Sequence, residues 1–225
     1  ALAGVEARRA DLLPAGALLL QAAMAELDAK RLVASTFALR EGVLLDRIRE
    51  HYGHTHTDGL HHLSDLRRAS VQHVLDRYGT DDRAHSVWSA ELALQLFAQT
   101  RDLHRLDDAT LDYLEAAGLL ANIGRSIAHD AHHLHSAYLI RNTEQLTGFT
   151  SHEIELIAQV ARYHRKSAPK AKHREFAALR PEDQRTVQVL AGILRVVIGL
   201  DRGNHQIVRA VLCRFDPAAN VLRII

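Results

Sequence analysis

The sequence predicts a mainly α protein that ends in a short β hairpin, and three observations carry that reading. Hydrophobic residues make up 47% of the chain while aromatics supply only 5%, so the core has to be built from Leu, Ala, Ile and Val, a mixture that favours helices. Apolar positions recur at helical spacing behind capping residues through most of the chain. Only the last twenty or so residues change character, to β-branched and aromatic residues around a turn.

Taken in order, LLPAGALLLQAAMAELD reads as a helix whose Pro14 and Gly16 suit its start. Arg31 to Thr36 alternates like a short strand, and Leu39 to His51 is periodic like a helix. A lone helix, strand and helix cannot bury their own faces, so residues 1–52 are expected to end a domain that begins upstream. Residues 53–64 are polar and aperiodic and read as a linker; its His54, His56, His61 and His62 have no carboxylate or cysteine pattern to fix a metal geometry.

From 65 to 225 the chain is expected to form one helical domain with C-terminal strands. A helix over Ala69–Tyr78 stops at Gly79, and Thr80 or Asp81 caps the next, whose Val87, Trp88, Leu92, Leu94, Leu96 and Phe97 form a broad buried face. Further helices are expected over Ala109–Ile123 behind Asp107 or Asp108, from near His132 to Thr143, and from Ser151 to His164. A basic loop, SAPKAKHREFAAL, leads to a long helix that opens around Pro181 and runs to about Leu200. Ile207–Phe215 and Val221–Ile225 read as strands about an Asp216–Asn220 turn.

Composition excludes several classes. The 28 Lys and Arg balance 27 Asp and Glu for a net charge of +1, so no global field points to nucleic acid and any anion site is local. Cys213 is the single cysteine, which rules out an internal disulfide and a multi-cysteine metal site and suits a reducing cytoplasm; its setting, VRAVLCRF, reads as a buried core strand. No apolar run reaches the ~18 residues of a membrane span, and the first residues do not form a signal peptide. The missing initiator Met suggests a processed or truncated product.

Two apolar helical runs between Ala117 and Lys166 carry His132, His133, His135 and His164, and an earlier run carries His85. This set resembles the scaffold of an HD-type phosphohydrolase, where a His-Asp pair, an earlier His and a distant Asp hold a divalent metal that activates water. Where LLHDIGR would be expected the chain has LLANIGR, which puts Ala121 and Asn122 at the pair, and the late aspartate falls at Ile198 within LRVVIGLD. Three of the four metal positions are lost. The expectation is an HD-like fold without HD chemistry, with no metal bound to this chain and the histidines used for hydrogen bonding between helices or for protonation beside bound phosphate.

The positive signal is the segment Arg162 to Arg174. It carries Arg162, Arg165, Lys166, Lys170, Lys172 and Arg174, with His164 and His173 among them and no acidic residue. Such a run suits several phosphates of a linear polyanion, bound by Coulomb attraction and charge-assisted hydrogen bonds and weakened by salt. Arg125 and Arg141 are further candidates for that surface, an ordinary salt bridge being the alternative for each.

RRADLLPAGALLL, ALREGVLLDRI, LLANIG, HHLHSAYLIRN with GFTSHEIELIAQVARYHRK, and LAGILRVVIGLDR together resemble the C-terminal half of the exopolyphosphatase and guanosine pentaphosphate phosphohydrolase (Ppx/GppA) family. The resemblance implies that residues 1–52 end an actin-like (ribonuclease H-like) lobe, with Arg9, Asp11, Arg40 and Glu41 facing or bracing its cleft, and that 65–225 are an HD-like helical domain. It further implies polyphosphate or guanosine pentaphosphate as substrate, Mg²⁺ as the cofactor of the intact enzyme, and a cytoplasmic homodimer with no nucleic-acid or membrane partner. No DxGSNS-like start or GGGS-like phosphate turn occurs in the chain, so its catalytic residues are expected upstream and the chain is not expected to turn over alone. The competing classes are an independent metal-dependent HD phosphohydrolase, which Ala121, Asn122 and Ile198 argue against, and a non-catalytic module sensing polyanions or nucleotides.

Overall fold

The computed structural model describes residues 12–32, 65–79, 83–201, 203 and 205–225. The chain divides into two compact units, 1–42 and 43–225. Arg9, Asp11, Arg40 and Glu41 lie outside the described residues, as do the helix expected over Leu39–His51 and the linker histidines.

In the first unit the described element is α1 (Leu13–Glu26), which takes Pro14 in its first turn, where the missing N–H harms nothing. Its Leu18 and Leu19 are exposed. Arg31 and Leu32 form no strand.

The second unit is mainly α, with a two-stranded antiparallel sheet at its C-terminal end. Its helices are α2 (Asp65–Tyr78), α3 (Arg83–Gln99), α4 (Arg101–His104), α5 (Ala109–Leu120), α6 (His132–Asn142), α7 (Ser151–Arg162), α8 (Arg174–Ala177) and α9 (Pro181–Leu200). A 3-10 turn, Ile123–Ser126, follows α5. α5 is the centre: it packs against α2, α3, α7 and α9, and its Leu114, Ala116, Ala117, Leu119 and Leu120 are wholly buried, as a helix with neighbours on several sides requires. Gly118 allows this, since a Cβ there would stand 3.0 Å from the Ala90 backbone on α3.

Charge fastens the other side. Arg67 on α2 donates to Asp112 at 2.7 Å, to Glu153 at 2.8 Å and to the Gly148 carbonyl at 3.0 Å, and its guanidinium lies over the Phe149 ring. One planar fork thereby ties α2, α5 and the start of α7.

Several boundaries differ from the sequence reading. α5 stops at Leu120 and Ile123 belongs to the 3-10 turn. α7 opens at Ser151 as expected but stops at Arg162, short of His164; its cap is Thr150, whose Oγ1 accepts the Glu153 N–H at 3.2 Å while Glu153 Oε2 accepts the Thr150 N–H at 2.7 Å, a reciprocal capping box. The basic loop contains the short helix α8. The first strand is limited to β1 (Cys213–Asp216), which pairs with β2 (Val221–Ile224), Cys213 opposite Ile224 and Phe215 opposite Leu222. Leu212 extends the pairing by exchanging backbone bonds with Ile225 at 2.9 Å, and the residues before it are held by side chains of α3: Trp88 donates to the Val208 carbonyl at 2.6 Å, and Gln99 donates to the Val211 carbonyl at 2.7 Å and accepts the Cys213 N–H at 2.8 Å. Cys213 is accordingly half-buried at the hairpin rather than inside the core.

Candidate functional site

The histidines gather where the start of α6 meets the end of α7, and two close approaches place them. Gly124 lies against α6 so tightly that a Cβ would come within 2.2 Å of the His132 carbonyl oxygen. Ser136 bridges the same contact, donating to the Ala121 carbonyl at 2.7 Å and accepting the Gly124 N–H at 2.9 Å. On the other side Arg195 of α9 donates to the carbonyls of Tyr163 at 3.3 Å and Lys166 at 3.0 Å. That fixes the turn after α7, in which Lys166 adopts φ 60°.

Between these supports His132 and His164 stack with ring centroids 5.4 Å apart, and His133 meets them edge-on at 6.3 and 6.4 Å. All three are buried. His164 Nδ1 donates to the Ala161 carbonyl at 2.6 Å and His132 Nδ1 to the His129 carbonyl at 3.1 Å. Arg165 Nη1 lies 3.1 Å from Nδ1 and 3.4 Å from Nε2 of His132, so the guanidinium stands over the ring rather than in line with either nitrogen. His133 Nδ1 is buried with no hydrogen-bond partner among the described residues.

Electrostatics follow from this crowding. Burial, helped by Arg165, pushes His132 down to about 4 and His164 to about 3. His133 is lowered by burial first and then by Arg165, Lys166 and Arg162. Arg125 is lowered by burial and by Arg165, which places the two guanidiniums near each other. The site therefore presents fixed cations at its rim and neutral imidazoles within.

The structure divides the cations read from the sequence. Arg165 and Lys166 are exposed, and among the described residues neither meets a carboxylate at ion-pair distance. Lys170, Lys172 and Arg174 are likewise exposed along the loop that follows. Arg162, in contrast, pairs with Glu175 at 2.9 Å and lies over the Tyr163 ring. Arg141 is held by both oxygens of Glu155, at 2.6 and 2.8 Å. Glu175, one residue beyond the basic run, and Glu155, fourteen residues from Arg141, are the acids that the reading of the segment missed. His173 accepts from the Tyr163 hydroxyl at 2.9 Å and so braces the loop.

The degenerate HD positions lie apart from this cluster in role. His85 on α3 is bonded through Nδ1 to Asp201 Oδ2 at 2.8 Å, both groups being buried. Asp201 also accepts the N–H groups of His205 at 2.8 Å and Gln206 at 2.9 Å, and the Gln206 side chain at 2.9 Å. Burial pushes the Asp201 carboxyl up, and the bonds from His85, Gln206 and His205 more than reverse this, holding it below the usual carboxylate range. Asp201 sits one helical turn past Ile198, which is why alignment on LRVVIGLD passed over it. Ser89 Oγ lies 3.4 Å from His85 Nε2, so a Ser-His-Asp line exists, with all three residues buried. This is a structural knot joining α3, α9 and the C-terminal segment.

A divalent metal does not fit these residues. Ala121 is apolar and buried, Asn122 is buried, Ile198 packs against the core, and the oxygens of Asp201 are taken. Among the described residues no group of three or more His, Cys, Asp or Glu is arranged to hold a metal ion.

Residues 66–223 match the profile described as Ppx/GppA phosphatase, domain III, and residues 1–51 match that of the Ppx/GppA phosphatase family. The chain belongs to the Ppx/GppA phosphatase family. A curated relative, the guanosine-5'-triphosphate,3'-diphosphate pyrophosphatase of Pseudoalteromonas translucida (strain TAC 125), is 31% identical over 170 residues, covering 75% of this chain and 32% of the relative. The chain thus spans about a third of the length of the curated relative it matches. The Ppx/GppA domain III match encloses the whole imidazole and arginine cluster, from Arg125 to Lys166. No helix among the described residues is long and apolar enough to cross a membrane.

Proposed function

We propose that this chain is the C-terminal part of an exopolyphosphatase-type phosphoanhydride hydrolase, and that its helical unit binds the polyphosphate chain and supports a cytoplasmic homodimer. In this reading the catalytic residues and the Mg²⁺ of the intact enzyme belong to upstream lobes. The observation that carries it is the pair Arg165 and Lys166, exposed, without carboxylate partners among the described residues, and set beside three neutral imidazoles. Lys170, Lys172 and Arg174 extend the same charge along the loop, a spacing that suits a linear chain of singly charged phosphates. Arg162 and Arg141, bound to Glu175 and Glu155, contribute positioning rather than chain contacts.

The test is a titration of the chain with long-chain polyphosphate at two salt concentrations. Binding should weaken steeply with salt, and changing Arg165 and Lys166 to Ala should lower the slope of log K against log salt by about 2 as two phosphate contacts are lost. Binding that ignores salt would defeat the proposal. Sedimentation of the intact protein tests the dimer, a single monomeric boundary at micromolar concentration being the contrary result.

A second reading has its own support. The relative is a guanosine-5'-triphosphate,3'-diphosphate pyrophosphatase, and that nucleotide offers the same phosphoanhydride anions to Arg165 and Lys166. Displacement of labelled polyphosphate by the nucleotide at a concentration well below that needed for inorganic pyrophosphate would favour it.

A further inference from the structure

We propose that the cluster takes up a proton together with the phosphate chain, the imidazole pair His132 and His133 being the proton acceptor. The inference rests on the anion-site reading above and adds a regulation to it.

The geometry supplies the device. Arg165 Nη1 stands over the His132 ring, 3.4 Å from Nε2, where its charge disfavours the imidazolium. A phosphate oxygen is a stronger acceptor for guanidinium than an imidazole nitrogen. As Arg165 turns to the phosphate, an anion replaces a cation beside Nε2; one N–H bond forms there, the proton coming from solvent, and the new imidazolium donates to the phosphate. His133 is poised to do the same, because its buried Nδ1 has no hydrogen-bond partner among the described residues and a phosphate oxygen would provide one. The two rings are close enough that the proton belongs to the pair.

Every charged or titrating neighbour of the pair enters the balance. From the loop before α6 come His129 and Asp130; from the end of α7 and the turn after it come Arg162, His164, Arg165 and Lys166; from the 3-10 turn comes Arg125. Among these the His129 carbonyl favours a charged His132 and Asp130 a charged His133, but burial first and the cations after it keep both rings neutral. A bound phosphate chain reverses that sign. His164 stays neutral at the back of the cluster, buried and with Nδ1 held by Ala161.

Interior units of long-chain polyphosphate keep one constant charge through the weakly acidic range, so proton uptake on binding belongs to the protein. The experiment is calorimetric titration of the chain with long-chain polyphosphate near about pH 6, in two buffers of different ionisation heat, repeated with His132→Gln and His133→Gln together and with each alone, folding being checked by circular dichroism. The expected result is uptake of close to one proton, with Kd falling about tenfold per pH unit as the solution is acidified, and loss of that uptake in the double variant. Other histidines near a polyanion also gain protons, so an uptake that survives unchanged in folded variants overturns the proposal. Salt-sensitive binding with equal heats in both buffers and a constant Kd overturns it as well, while leaving the anion site standing. Absence of salt-sensitive binding removes both.

Discussion

Arg165 and Arg141 carry the same charge and differ in what surrounds it. Arg141 meets both oxygens of Glu155, whereas Arg165 meets an imidazole and solvent. The sequence shows the run of basic residues but not this division, because Glu155 and Glu175 reach their partners through the packing of α6, α7 and α8. The histidines were legible as a group on helices; that three of them share one buried corner while His85 joins Asp201 depends on helix packing that periodicity does not encode. Their burial has a measurable consequence. His132 titrates at about 4 in the fold against an ordinary 6.5, so between those values the unfolded chain holds more protons and stability rises with pH. The term is complete above 6.5 and is lost as pH falls to about 4, an effect of about 3 kcal/mol. His164 adds in the same direction. Urea unfolding across that range should show the loss, and His132→Gln should flatten it.

At the scale of elements, two contacts decide where the cluster stands. Gly124→Ala would push a Cβ into the backbone of His132 and Ser136, which flexible side chains cannot relieve, and should cost about 3 kcal/mol and displace the start of α6. Denaturant unfolding measures it; a cost below about 1 kcal/mol would mean that α6 moves aside freely. Asp201→Ala leaves His85 and the backbone donors of His205 and Gln206 unanswered. The expected loss is about 3 kcal/mol, with faster hydrogen exchange over 205–212, while Asp201→Asn keeps an acceptor and loses less. The long helices of the second unit were legible because apolar period and caps agree; the four-residue α4 and α8 were not, being too short to show a period. Boundaries were less legible: α7 stops at Arg162 rather than His164, and the expected strand before Leu212 gave way to bonds from Trp88 and Gln99 on α3.

On the scale of the whole molecule, the positions compared with an HD site, Ala121, Asn122, Ile198 and His85, are taken up in packing and in the His85–Asp201 bond, while Arg165 and Lys166 stand exposed. The family is read from motifs spread along the chain and from the domain III match over residues 66–223. Substrate identity is not written in the helical unit, since polyphosphate and guanosine pentaphosphate carry the same kind of phosphate oxygen and a cation does not tell them apart. Availability of the cations, not their number, makes the site. Two double variants that each remove two cations separate these, Arg165→Ala with Lys166→Ala against Arg141→Ala with Arg162→Ala, whose partners are Glu155 and Glu175, by titration with long-chain polyphosphate at low salt. The first pair should lose binding by about a hundredfold, about 1.4 kcal/mol for each contact, and the second by less than about tenfold. Equal losses in both, or a loss confined to the second, would contradict the role of availability.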